Sequence, residues 1–352
     1  MTVQALTPRV LAAKLAPFAL FLLAALLLGP AVGAVTVDPL AAWAHRHDLA
    51  GNLDASVFFT IRLPRVLLAA LTGAALALAG AAFQALLRNP LAEPFTLGVS
   101  SGGAFGAALA IKLGLGATLL GFSPVMLAAL AGSAAAAALV YWLARTRGAL
   151  SSTLLTLAGV TISFFFAAEI LLIFYLSDYT ETHQMIRWMM GSLDVVFNLA
   201  MLRGSLASRA ALSLMLLAYA GGLAALVLLA GKFNQLSLGP EIAASRGVHV
   251  RRAQRAGYLA ASLVTGLAVS LAGPIGFVGL IVPHAVRFLV GPDHRVLLPA
   301  SLMAGAGFLI LCDAAARSLF GPVEIPVGVL TATIGGPFFL LLLLRAKRQG
   351  NI

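Results

Sequence analysis

Long apolar stretches separated by short polar breaks run through almost all of the 352-residue chain. A membrane-spanning helix needs ~20 mostly apolar residues. On that measure the pattern predicts ten spans, at about 11–36, 62–87, 94–113, 122–144, 150–176, 206–232, 256–273, 276–290, 297–320 and 326–345. The third and eighth are short or broken by glycine and proline, so pattern defines their limits least. Three stretches stand outside the spans: polar 38–60, partly amphipathic 178–205, and 233–255. The first apolar run, LAPFALFLLAALLLGPAVGAV, follows Arg9 and Lys14 and precedes AVGA, as a signal peptide would. The many spans after it favour a retained first helix.

Composition turns this pattern into a class. The chain is 61% hydrophobic and 10% charged, against about 45–50% and about 25% in soluble domains. The expectation is an all-α, polytopic membrane protein forming one domain over residues 1–352. Cys312, the single cysteine, lies in an apolar run, which excludes a disulfide framework and a cysteine metal site. The net charge of +11 does not call for nucleic acid, because membrane proteins gather Lys and Arg in cytoplasmic loops. With the N-terminus inside, the ten spans place 15 of the 23 basic residues in the cytoplasm and 8 outside. Both termini and 233–255 are then cytoplasmic, and 178–205 faces outward.

Two further patterns concern packing. GAALALAG at 73–80 and GLAVSLAG at 266–273 echo each other in spans two and seven, which cross in opposite directions. Inverted repeats of this kind are frequent in transporters and place the pathway between the halves. In LGVSSGGAFG, Gly98, Gly102 and Gly106 are four apart and predict one helix face open to close backbone approach.

Catalytic chemistry finds no support. There is no phosphate-cradling Gly-Lys-Ser/Thr loop, no histidine pair at helical metal-ligand spacing and no serine elbow. An ion-gradient-driven secondary transporter is the alternative class. It would use Glu169 in span five, an acid at membrane depth. Asp313 in span nine has Arg317 four residues on, the favourable order for a helical ion pair.

The polar stretch LGPEIAASRGVHVRRAQR at 238–255 is too long for a turn. Pro240 then Glu241 suits a helix start, and Gly247 suits a stop. Ala243, Ala244 and Ser245 offer a small face, flanked by Arg246, Arg251, Arg252 and Arg255.

With that segment, three others occur in order: RLPRVLLAALTGAALALAGAAFQALLRNPLAEPFTLGVSSGGAFG, GPIGFVGLIVPHAVR and EIPVGVLTATIGGPFF. Together they resemble the permease subunits of bacterial type II ABC importers for haem, ferric siderophores and cobalamin, the FecCD/BtuC family, most like a haem importer. The resemblance covers nearly the whole chain. It implies a ten-helix permease, not itself an enzyme, in the bacterial inner membrane. Its partners would be a second copy of itself, two cytoplasmic ATPase subunits that use ATP and Mg, and a periplasmic binding protein. This chain would bind no cofactor and no metal.

Site residues follow from the same resemblance. The segment from 233 to 255 would dock into the ATPase, with Leu238, Gly239, Glu241, Ala244, Arg246, Gly247 and Val248 as contacts. Arg62 and Arg65 of RLPR, with Arg317, would receive acidic groups of the binding protein. Asn89, Leu91, Ser152 and Thr153 match cytoplasmic gate positions. The cargo is read from the outer stretch SDYTETHQMIRWMMGSLDVV, which lies near the pathway mouth. There His183, Met185, Arg187, Trp188 and Met189 suit a flat metal porphyrin bearing carboxylates. Haem comes first, then cobalamin, then a ferric siderophore, moved by alternating access.

Overall fold

The computed structural model describes residues 7–33, 35–49, 51–146, 149–193, 205–319 and 323–348. The first half runs α1 (Pro8–Leu28), α2 (Pro39–Ala44), α3 (Leu53–Val57), α4 (Leu63–Leu87), α5 (Val99–Lys112), α6 (Pro124–Ala144) and α7 (Ser152–Tyr175). After α8 (Tyr179–Met189) come α9 (Leu206–Leu228), α10 (Ala230–Leu236), α11 (Pro240–Ser245), α12 (Val250–Ala272), α13 (Val278–Val290), α14 (His294–Ser318) and α15 (Val327–Arg348). A two-residue antiparallel pair, β1 (Arg145–Thr146) with β2 (Ala149–Leu150), separates α6 from α7.

Each of the ten expected spans has its helix. Among the described residues, seven helices are long and apolar enough to cross a membrane, and α13 and part of α15 are shorter apolar helices. The third span is a single 3-10 turn, Pro94–Leu97, followed by the 14-residue α5. Among the boundary differences, α12 starts at Val250 where the pattern begins span seven at 256. Apolar periodicity misses VRRAQR, but Arg, Gln and Ala are good helix formers and extend the helix into the polar zone.

Helix α4 is the axis of the molecule. Nearly all its residues are buried, and α12, α13 and α14 pack around it. It begins as α3, passes through a π-helical turn at Phe58–Arg62, and continues without a break to Leu87. The polar stretch at 38–60 thus folds largely as α2, α3 and the start of this turn.

Small residues set the closest contacts. A Cβ added at Gly73 would lie 2.2 Å from the Gly305 carbonyl oxygen, and one at Gly80 would lie 2.0 Å from that of Gly279. Backbones meet there with nothing between, which only glycine permits. Gly102 and Gly106 behave as expected and face Gly132 and Ala128 of α6. Gly98 does not share their face. It precedes α5 with φ +80° and turns the chain from the 3-10 turn into the helix.

The pairing of helices supports the two-fold sequence echo. Span two (α4) packs on spans eight and nine, while span seven (α12) packs on spans three and four. That is the arrangement of two halves displaced by five spans. Within it, Gly73 of the first echo faces Gly305 of span nine, and Gly266 of the second faces Ser133 of span four.

Candidate functional site

The segment after α10 forms the helix its sequence predicts. Gly239, with φ +120°, leads into Pro240 at the first turn of α11. Gly247, with φ +81°, ends it. There the Val248 N–H donates to the Ala243 carbonyl at 3.0 Å and the Gly247 N–H to Ala244 at 3.0 Å, bonds that satisfy otherwise unpaired C-terminal carbonyls. Ala243 is buried against the body. Leu238, Glu241, Ile242, Ala244, Arg246 and Gly247 are exposed, and Val248 is half-buried. The result is a short helix with a mixed apolar and charged outer face. Arg246 Nη1 donates to Gln235 Oε1 at 3.0 Å and lies along α10.

Sequence reasoning missed the anchors of this segment. On its upstream side, Asn234 Nδ2 donates to Asp293 Oδ1 at 2.6 Å, and Asn234 Oδ1 accepts from the His294 N–H at 2.8 Å. This ties α10 to the start of α14. Burial would raise the Asp293 pKa, but hydrogen bonds from Arg295 and Asn234 outweigh it and hold the carboxyl at about 2. On the downstream side, Gln254 of α12 bonds the β2 backbone.

Of the four residues expected at the gates, Ser152 and Thr153 lie beside this segment, and Asn89 and Leu91 form the turn after α4. Arg88, with φ +51°, closes α4, and the Asn89 side chain accepts from the Leu91 N–H at 2.9 Å to form a tight turn. Ser151 caps α7, and Ser152 Oγ reaches the Leu86 carbonyl at 3.4 Å. A crevice of about 250 Å³ is lined by Arg88 at the end of α4, by Ser152 and Thr153 of α7, and by Pro240, Val250 and Gln254 of α11 and α12.

In the segment expected on the outer side, Asp178 and Glu181 form a reciprocal cap at the start of α8. Lys112 Nζ at the end of α5 reaches Glu181 Oε2 at 2.8 Å, and that hydrogen bond is the first cause holding the Glu181 carboxyl below its usual range. His183 and Arg187 are exposed, with the His183 ring stacked on Tyr179. Met185 corrects the expectation of a pathway contact. It is fully buried among Ala104, Ala108, Ile170 and Ile173, because α8 is amphipathic and turns 185, 188 and 189 toward α5 and α7. Trp188 is half-buried in the same cluster. Residues 194–204 of the expected outer segment lie outside the described residues.

Met189 does reach a cavity, of about 890 Å³. Its walls come from α5, α7, α8, α15 and the loop between α12 and α13, and are mostly apolar, including Phe95, Phe174 and Phe277. Glu93, missed by the sequence reading, brings a carboxyl to it.

The three outer arginines are not presented as free surface charges. Arg62, Arg65 and Arg317 are 4%, 9% and 3% exposed. Arg65 Nε and Arg317 Nε each lie 2.9 Å from a different oxygen of buried Asp313, and Arg65 Nη1 lies 2.7 Å from Glu324. Arg317 donates to the carbonyls of Gly29 and Val32, and Arg62 to those of Pro30, Ala31 and Val35. The physical reason is the irregular stretch after α1, whose carbonyls at Gly29, Pro30, Ala31, Val32 and Val35 take their donors from Arg62 and Arg317. Asp313 pairs with Arg65 and Arg317, and Glu324 carries the network to solvent at 44% exposure.

Residues 20–345 match the profile of the FecCD transport family. Among curated relatives, the chain is 39% identical to the hemin transport system permease protein HmuU of Yersinia pestis, covering 94% of this chain and 96% of that one. It is 43% identical to the cobalamin import system permease protein BtuC of Halobacterium salinarum, covering 81% and 72%. A solved inward-facing metal-chelate type ABC transporter superposes with a TM-score of 0.77 at 32% identity, covering 95% of this chain and 99% of that one.

Proposed function

The chain belongs to the FecCD transport family and is the permease subunit of a type II ABC importer for metal chelates, and we propose that its chelate is haem. The observation that carries this choice is the near end-to-end match to a hemin permease. Exposed His183 and Arg187 support it, because arginine can grip a propionate with two hydrogen bonds. The apolar cavity beside Met189 also supports it.

The rest of the machine follows in this reading. ATP and Mg act in a separate ATPase, which receives α11 and its flanks, and this chain binds no cofactor of its own. A binding protein delivers cargo at the outer face, near the Arg65–Glu324 end of the arginine network. Two copies of the chain enclose the pathway. Support for this comes from the apolar side chains that α7 and α15 leave exposed, among them Phe164, Phe165 and Leu171 of α7 and Leu340 and Leu341 of α15. The chain lies in the bacterial inner membrane with both termini cytoplasmic. ATP biases the permease only through contacts that differ between its states, and the α11 face is where such contacts are available. Family membership sets aside the ion-driven alternative built on Glu169, which lies half-buried on α7.

The test is uptake into proteoliposomes holding the permease, its ATPase and its binding protein. Haem should accumulate with ATP, and cobalamin or a ferric hydroxamate should not. Arg187→Ala should lower haem uptake and leave basal ATP hydrolysis unchanged. Preferential uptake of either other chelate overturns the choice of haem.

A further inference from the structure

Gln254 is 8% exposed and lies one turn into α12. Its Oε1 accepts from the Leu150 N–H and its Nε2 donates to the Leu150 carbonyl, each at 3.3 Å. A carboxamide can accept and donate in one plane, so it imitates a peptide group. Here it adds one rung to the edge of β2. Leu150 stands immediately before Ser151, the cap of α7, so the rung ends two residues from Ser152 and three from Thr153.

On the other side, only Arg246, Gly247, Val248 and His249 separate α11 from α12. The turn joining them is closed by the Val248-to-Ala243 bond. Above the rung, Tyr258 Oη donates to the Ala137 carbonyl of α6 at 3.0 Å. A displacement of α11 therefore reaches the first turn of α12 through a short closed turn. It leaves that turn through two hydrogen bonds to one residue of the gate hairpin.

We propose that Gln254 is a positioning residue that carries movement of the Pro240–Ser245 helix to the Ser152–Thr153 gate through its paired bonds to Leu150. This rests on the reading of α11 as the ATPase contact. Leucine at 254 keeps the volume and apolar packing but takes from the half-buried Leu150 N–H and carbonyl their side-chain partner. Glutamate keeps the acceptor for the N–H and sets a carboxylate against the carbonyl.

The experiment has two arms. In proteoliposomes with ATPase and binding protein, Gln254→Leu and Gln254→Glu should assemble and hydrolyse ATP as wild type does. Ligand moved per ATP should fall at least about fivefold, the lower end of typical coupling between sites. Unchanged ligand per ATP in either assembled variant overturns the proposal.

The second arm uses the wild-type complex, so it does not depend on a variant folding. Hydrogen exchange is followed in peptides covering 240–247, 249–256 and 149–155 with and without trapped ATP. Protection of 240–247 on adding the ATPase tests the docking reading alone, and its absence sinks that reading. With docking intact, 149–155 and 249–256 should change together on ATP trapping. A change at 249–256 with none at 149–155 overturns the role of Gln254.

Discussion

Arg65 Nε and Asp313 Oδ1 lie 2.9 Å apart although 248 positions separate them in the chain. This bond, with Arg317 on the other oxygen, joins α4 to α14 in a buried triad of two guanidinium groups about one carboxylate. Removing its centre leaves two buried guanidinium groups without their acid. Asp313→Asn should cost roughly 3–5 kcal/mol, the usual penalty for breaking a buried pair. Glu324→Gln, at the exposed end, should cost less than about 1 kcal/mol. Thermal unfolding in detergent should rank the two variants in that order, and equal losses would refute a buried triad as the main brace.

Glu324 also bears on docking. It occupies the Arg65 guanidinium at the outer end of the network, where an acidic group of a binding protein would compete with it. Glu324→Gln should therefore speed association with the binding protein at low salt, where charge steering is strongest. Association kinetics unaltered at every salt concentration would exclude Arg65 from the docking contact.

Glycines that look alike in sequence should respond differently to alanine. At Gly73 the new Cβ would meet the Gly305 carbonyl oxygen at 2.2 Å. Gly73→Ala should destabilise by at least about 1–3 kcal/mol, the range for overpacking. At Gly221 nothing lies within 4 Å, and alanine there should be neutral or slightly stabilising through helix propensity. Melting midpoints of the two variants decide the matter.

Gly247 tests backbone strain without packing. No atom lies within 4 Å of a Cβ placed there, yet φ is +81°. Gly247→Val should cost more than about 1–2 kcal/mol locally, the penalty of a left-handed L-residue, and should lower recovery of the ATPase complex. Gly247→Asn should be better tolerated. Arg246→Glu should weaken the same complex while leaving the helix formed. Normal recovery with both Gly247→Val and Arg246→Glu would remove α11 from the contact.

Asp293 gives a pH dependence with a defined sign. Its folded pKa of about 2 lies below the unfolded value of about 3.9. Its contribution is present above the unfolded pKa and is lost as pH falls through about 2. Wild type should therefore lose more thermal stability between pH 5 and 2 than Asp293→Asn does. Parallel curves for the two proteins would show that the Asn234–Asp293 anchor carries no linkage.

Legibility in the sequence followed the physical signal each feature leaves. The helices were readable because ~20 apolar residues are an unmistakable period in a chain this greasy. The start of α12 was not, because its first turns are polar and helical at once. The α11 helix could be read from Pro240 and Gly247, whose backbone limits are written in the residue type. Gln254 lay inside a quoted motif, yet its role depends on Leu150, more than one hundred residues away. The one available hint was an uncharged amide on the face shared by Ala253, Gly257 and Tyr258. Met185 misled for the opposite reason: a thioether fits a haem edge and a protein core equally well, and only the orientation of α8 decides. Arg62 and Arg65 stand at the start of span two and Arg317 in the last turn of α14, but their burial depends on the carbonyls after α1, which composition does not reveal.

The glycine contacts of α4 have a consequence for how such a permease can diversify. Positions 73, 80, 279 and 305 meet backbone to backbone, so drift at any of them is blocked by steric exclusion whatever the cargo. The cavity walls on α7, α8 and α15 carry no such constraint at Leu171, Met189 or Val329, which present side chains to open space. Selectivity can therefore be rewritten along those walls while the spine stays frozen. A lineage that changes its chelate should accumulate its substitutions at such wall positions and keep the four glycines.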